Sequence, residues 1–126
     1  MESLTPLGWV SMIRQGFPTQ ALDSLGANTQ AHTAELAQLL DISVRMLAQR
    51  RRTGFLSQQE SERLFRVARV LARAEELFGN LEKAFRWLNS PIIVLSGATP
   101  LSLLDTEVGG KLVMDTLGRI EHGIPA

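Results

Sequence analysis

At 126 residues, 44% hydrophobic and 21% charged, the chain has the profile of a globular protein, one ordinary domain or two small helical ones sharing a core, and not of a disordered one. It has no cysteine, which excludes a disulfide framework and a zinc ribbon, and no apolar run approaches the roughly 20 residues of a membrane span. Net charge is zero but unevenly spread: residues 1–40 sum to −2, residues 41–73 to +5 with eight arginines, and residues 74–126 to −3, so a basic middle lies between acidic flanks.

Helical signals dominate, and no alternating β-type run of convincing length occurs. Residues 6–15 form a short amphipathic helix with Trp9, Met12 and Ile13 on one side, closed by Gly16. Pro18 opens a second helix carrying Ala21, Leu22 and Leu25, and Gly26 ends it. Thr33 caps a third, in which Leu36, Leu39 and Leu40 recur at helical spacing. Asp41-Ile42-Ser43 makes a tight turn. Ser43 then caps a helix from Val44 to about Arg51 that buries Val44 and Leu47, and Gly54 follows it.

Ser57-Gln58-Gln59-Glu60 is a capping box, with Leu56 just before it as a hydrophobic staple. The helix it starts runs to Phe78. Leu64, Val67, Ala68, Leu71, Ala74 and Phe78 fall on one face, and Arg66, Arg69 and Arg73 on the other. Gly79 ends that helix and Asn80 caps the next, which carries Leu81, Ala84, Phe85 and Leu88 and stops at Asn89-Ser90-Pro91. Ile92 to Leu95 reads as a buried connector. Thr99-Pro100 opens a short helix through Leu104. Thr106 caps a last helix to about Glu121, where Gly109 and Gly110 cost helix stability and so point to close packing. His122 to Ala126 reads as a tail. The domain boundary is expected inside the long helix, which gives domains 1–73 and 74–126.

Helix 33–40, its three-residue turn and helix 43–51 have helix-turn-helix proportions. Leu36, Leu39, Leu40, Val44 and Leu47 brace the second helix, whose outer face is then free to enter a major groove wide enough for one helix. That face carries Arg45, Gln49 and Arg52, with Arg50 and Arg51 close by. Arginine pairs bidentately with guanine and glutamine with adenine. Ser43, at the helix N-terminus, is suited to meet a phosphate. The alternative is that the arginines only decorate solvated helix faces. A single small module binds DNA weakly, so a dimer over two half-sites is expected.

No catalytic grouping emerges. His32 and His122 stand 90 positions apart, and neither has a metal-type spacing to another ligand. No glycine-rich phosphate loop follows a strand, and no serine sits in a nucleophile elbow. Glu75 and Glu76 are adjacent on a helix, so their carboxylates diverge by about 100°. No catalytic residue, metal or cofactor is expected. The N-terminus shows no signal-peptide pattern, and a cytoplasmic location is the default.

Three stretches carry a family resemblance: Ala34 to Arg52 (AELAQLLDISVRMLAQRRR), Leu56 to Asn80 (LSQQESERLFRVARVLARAEELFGN), and Ala84 to Ala126, with RWLNSP, GATPLSLLDTEVGGKLV and LGRIEHGIPA. Together they resemble the Xre/MbcA/ParS antitoxins over about the last three-quarters of the chain. The resemblance implies an all-α protein, with an Xre-like helix-turn-helix bundle followed by a small helical toxin-binding domain. It implies a RES-domain toxin as partner, which degrades NAD or uses it for ADP-ribosylation. The antitoxin would occlude the toxin's active site with its C-terminal region, form a homodimer, and repress its own operon by binding operator DNA. On this chain the implied toxin-binding residues are Thr99, Pro100, Thr106, Arg119, His122, Gly123 and Ile124, with Leu101, Asp105 and Gly109 as further matches. After Pro91 the family often has Asn and a Gly-Gly pair, where this chain has Ile92 and Ser96-Gly97. A stand-alone transcriptional regulator is the alternative, its C-terminal domain serving dimerisation or ligand sensing. Such a sensor should offer an apolar pocket with converging polar groups.

Overall fold

The computed structural model describes residues 5 to 123, and these form two compact units, the first ending at Phe65 and the second beginning at Arg66. The division falls within the longest helix. Among the described residues the secondary structure is helical apart from one isolated β-bridge, Pro18 with Phe55.

The first unit contains α1 (Pro6–Gln15), α2 (Thr19–Thr29), α3 (Thr33–Leu40), α4 (Val44–Thr53) and the first turns of α5 (Gln58–Phe78). Its core is aliphatic, with Leu22, Leu36, Leu39, Leu40, Leu47 and Leu64 buried beside Phe17. Trp9 meets the edge of Phe17, ring centroids 6.2 Å apart, and leans on Phe65 at 5.0 Å. Two backbone bonds clasp the ends of the segment that holds α2, α3 and α4. The Leu56 N–H donates to the Phe17 carbonyl (2.9 Å) and the Thr19 N–H to the Gly54 carbonyl (2.9 Å). Fully buried Ser61 supports the clasp, its hydroxyl accepting from the Phe17 N–H at 2.8 Å. Gly16 sits beside it at φ 93°, where a Cβ would strike the Leu56 carbonyl oxygen.

Three expectations for this unit need correction. Gly26 does not end the second helix: α2 continues to Thr29 and closes at Gln30 in the left-handed region. Gly26 is instead buried against Leu36, where any Cβ would press on that side chain, so its role is close helix approach. The third helix is capped from His32, whose N–H donates to the Glu35 carboxylate (2.9 Å), with Thr33 as first helical residue. Val44 is 49% exposed, whereas Leu47 is fully buried. Helical side chains lean toward the helix N-terminus, and at the first position only the Ile42-Ser43 turn lies there.

The second unit holds the rest of α5, then α6 (Leu81–Leu88), two single 3-10 turns (Ile93–Leu95 and Leu101–Leu103) and α7 (Glu107–Glu121). Here α5 buries Val67, Val70, Leu71 and Ala74, an i, i+3, i+4, i+7 stripe. Ala68 is exposed, because the buried face turns toward Val70, on the other side of Val67 from it. Ala84, Phe85, Leu88, Leu95, Leu101, Leu104, Val113 and Leu117 are buried with that stripe. Asn80 caps α6 through the Lys83 N–H (2.8 Å), and Thr106 caps α7 through the Gly109 N–H (2.9 Å). Gly109 is obligatory, since a Cβ there would overlap the Leu103 carbonyl oxygen.

The connector after Pro91 is not buried. Ile93 is 90% exposed and Val94 is also exposed, while Leu95 alone points inward. Successive side chains of a 3-10 turn are spread by about 120°, so a single turn can bury only one of three. The loop is closed by the Ile92 N–H on the Ala98 carbonyl (3.1 Å) and the Gly97 N–H on the Ile92 carbonyl (3.0 Å).

Candidate nucleic-acid interface and C-terminal contact surface

The turn between α3 and α4 is built by short-range bonds. Asp41 adopts φ 57°, and Ile42 returns its N–H to the Ala37 carbonyl at 3.0 Å. The Ser43 hydroxyl accepts from the Met46 N–H (3.0 Å) and so starts α4. Arg63, on α5, donates from Nε to the Leu39 carbonyl at 2.6 Å and occupies an otherwise open acceptor at the end of α3.

With Leu47 buried, α4 turns Arg45, Gln49 and Arg52 outward, on one exposed face within about 60° of arc. Among the described residues neither Arg45 nor Arg52 has an ion-pair partner, so both guanidiniums face solvent as free donors. Arg50 and Arg51 are placed differently. Arg51 donates to the Asp23 carboxylate of α2 at 2.9 Å. Arg50 Nε meets both oxygens of Glu60, at 2.8 and 3.2 Å. Ser43, Arg45, Gln49 and Arg52 are thus brought to one solvent-facing end and face of α4, while Arg50 and Arg51 hold that helix to its neighbours.

Glu60 is the centre of this bracing. It is only 7% exposed, and its Oε1 also accepts from the Ser57 N–H at 2.8 Å. The Ser57 hydroxyl accepts in turn from the Glu60 N–H at 3.1 Å, which completes the capping box. Burial alone would push the Glu60 carboxyl up. The bonds from Arg50 and Ser57, with the Arg50 charge, outweigh it and hold the carboxyl below its ordinary range. The same bond raises Arg50 above its usual value. The capping box was legible in the sequence. The partnership with Arg50 was not, because a contact ten residues away across a turn leaves no periodic signal.

In the second unit Arg66 and Arg73 of α5 bind neighbouring groups. Arg66 Nη1 donates to the Leu104 carbonyl at 2.8 Å. Arg73 pairs with Glu76 (3.1 Å) and with Glu121 near the end of α7. The hydrogen bond to Glu121 raises Arg73 above its usual value.

The expected toxin-binding residues have different placements. Pro100 is fully buried. Thr99 is half-buried and its hydroxyl accepts from the Ser102 N–H (3.2 Å); Thr106 is exposed and occupied as the α7 cap. Arg119 and His122 are exposed, the latter with Nε2 3.9 Å from Glu121. Gly123 adopts φ 72°. Ile124 lies outside the described residues. Arg119, His122 and Gly123 therefore gather at the exposed end of α7, and Thr99, Pro100 and Thr106 shape the approach to its beginning.

Comparison with known proteins covers both units. Residues 8–69 match the family described as antitoxin Xre-like helix-turn-helix domain, and residues 73–123 match the antitoxin Xre/MbcA/ParS C-terminal toxin-binding domain. The chain is similar to the antitoxin Xre of Yersinia enterocolitica serotype O:8, 38% identical over 91% of this chain and 79% of that protein. It is similar to the antitoxin Xre of Photorhabdus laumondii, 34% identical over 90% of this chain and 78% of that one. A Sphingobium protein named Prs ADP-ribosylating antitoxin is 31% identical over 54% of this chain and 48% of its own length. No helix among the described residues is long and apolar enough to cross a membrane.

Proposed function

The chain belongs to the Xre antitoxin family, and from that premise we propose that it neutralises a cognate RES-domain toxin that consumes NAD. It acts as an inhibitor and not as an enzyme: its C-terminal region occludes the toxin's active site. It also represses its own operon, in the cytoplasm, by binding operator DNA as a homodimer. The observation that carries this reading is the match of residues 73–123 to a toxin-binding domain, on a chain whose first unit presents a braced helix-turn-helix.

The division of labour follows from what each side chain is free to do. Arg45, Gln49 and Arg52 face outward and read base edges, and Ser43 with the N-terminus of α4 meets a phosphate. Arg50 and Arg51 orient that helix through Glu60 and Asp23. At the other end, Arg119 with His122, Gly123 and Ile124 enters the toxin's NAD site. There the unpaired guanidinium meets the carboxylates and other acceptors that line it. Thr106 caps α7, and Pro100 with the Thr99–Ser102 bond fixes the 3-10 turn just before it, so that the far end of α7 is presented in one orientation.

Two experiments test this. Co-expression with the RES-domain protein encoded beside the chain should restore growth and cellular NAD, and deletion of Arg119–Ala126 should abolish rescue while the protein stays folded. Full rescue by the deletion refutes occlusion by this segment. Failure of the intact, folded chain to rescue favours a stand-alone regulator. In gel shifts with the chain's own promoter at fixed salt, Arg45→Ala and Gln49→Ala should each weaken specific binding by roughly 1–3 kcal/mol and leave binding to unrelated DNA less affected. Unchanged shifts for both would remove α4 as the reading helix.

A further inference from the structure

The outer side of α7 is amphipathic along its length. The helix buries Gly109, Val113, Thr116 and Leu117. At 100° per residue, Val108, Leu112, Asp115 and Arg119 fall within about 60° of one another on a separate stripe. Val108 is 80% exposed and Leu112 46%. Asp115 is already neutralised by Lys111 at 3.2 Å, whereas Arg119 has no ion-pair partner among the described residues. What remains unmatched is two apolar side chains and, about 10 Å further along the axis from Leu112, one cation. Val108 also borders a cleft of about 540 Å³ whose walls include Arg69, Val70 and Met114.

We propose that this stripe is a docking surface for the toxin, with Val108 and Leu112 as its apolar anchors and Arg119 as its charged end. The proposal rests on the functional reading above and specifies where on the second unit the partner sits. The partner surface has a defined chemistry: an apolar depression flanked, about 10 Å away, by an acidic group.

A second copy of the chain is a poorer occupant. Around a two-fold axis an antiparallel pair of stripes sets Arg119 against Val108 of the copy, and a parallel pair sets Arg119 against Arg119. The two apolar anchors suit a central cluster within a larger contact. The match of residues 73–123 to a toxin-binding domain places the stripe where such a contact is expected.

The test measures affinity of the full-length chain for the purified RES-domain protein encoded beside it, by calorimetry, with thermal melts in parallel. Val108→Ser with Leu112→Ser should weaken binding at least about tenfold with an unchanged melt, and Arg119→Glu by a similar factor. Ile93→Ser, an equally exposed apolar site off the stripe, should bind as the parent does. If the double variant melts early, Val108→Ser alone carries the same expectation. Binding by the parent and equally tight binding by the serine variants overturns the surface and leaves the functional reading standing. No binding by the folded parent overturns the functional reading itself, and the surface with it. Serine variants that lose self-association but keep toxin affinity assign the stripe to a second copy, which also overturns the proposal.

Discussion

Replacing Glu60 by alanine removes, in one step, the ion pair that holds α4 and half of the box that starts α5. The Arg50 Nε loses acceptors at 2.8 and 3.2 Å, and the Ser57 N–H loses one at 2.8 Å. A hydrogen bond to a charged group contributes about 1.5–3 kcal/mol, and a lost cap costs about 1 kcal/mol. Arg50 keeps 27% of its side-chain surface in water, so its stranded charge is partly resolvated. The total therefore falls below the roughly 3–5 kcal/mol of breaking a fully buried pair, and about 2–3 kcal/mol is expected. At about 4–8 °C per kcal/mol for a domain of roughly 60–100 residues, the melt of the first unit should drop by about 10–20 °C. Far-UV circular dichroism reads this directly. A double-mutant cycle with Arg50→Ala should give a coupling of about 1–2 kcal/mol. The sign with pH is also fixed. Because folding lowers the Glu60 carboxyl below its ordinary value of 4.5, its stabilisation is fully present above that value and is lost as pH falls through the lower, folded one. The gap between the parent and Glu60→Gln should therefore be constant near neutrality and close in acid. A coupling under about 0.5 kcal/mol, or a gap that widens in acid, would refute the assignment of Glu60 as the brace.

Three further substitutions test the packing that positions each site. Gly109→Ala drives a methyl into the Leu103 carbonyl, so α7 must shift; a loss of about 2–4 kcal/mol is expected in urea denaturation, and a loss under about 0.5 kcal/mol would contradict the close approach. Leu47→Ala, at a fully buried site, should cost about 2–5 kcal/mol, whereas Val44→Ala, three residues earlier and half exposed, should cost under about 1 kcal/mol. Equal losses would mean that α4 is rotated from the orientation described.

What could be read in advance was what is decided within a few residues. The caps at Ser43, Ser57, Asn80 and Thr106 form as their types and spacings indicate, because a hydroxyl or amide meets an N–H three positions on. The helix-turn-helix followed from the same local logic. Errors arose where a distant neighbour decides. Gly26 looks like a helix stop but is a contact point for Leu36. The ion pairs that Arg50 and Arg51 make with Glu60 and Asp23, brought in by other helices, likewise leave no local signal. The Ile92–Leu95 run is apolar enough for a core, but its single 3-10 turn buries only Leu95. On α7 two apolar stripes compete in the sequence. Only the partner available to each, the Leu103 segment for Gly109 and water for Val108, tells them apart.

The clasp at Phe17–Leu56 and Thr19–Gly54 has an evolutionary corollary. It brings together, across two backbone bonds, the beginning and end of a segment that contains the whole of α2, α3 and α4. A stretch whose ends already meet can be exchanged for another of the same span while the rest of the chain keeps its path. Residues 19–54 carry the proposed DNA-reading face, so that face is exchangeable as one cassette without re-threading the rest of the chain.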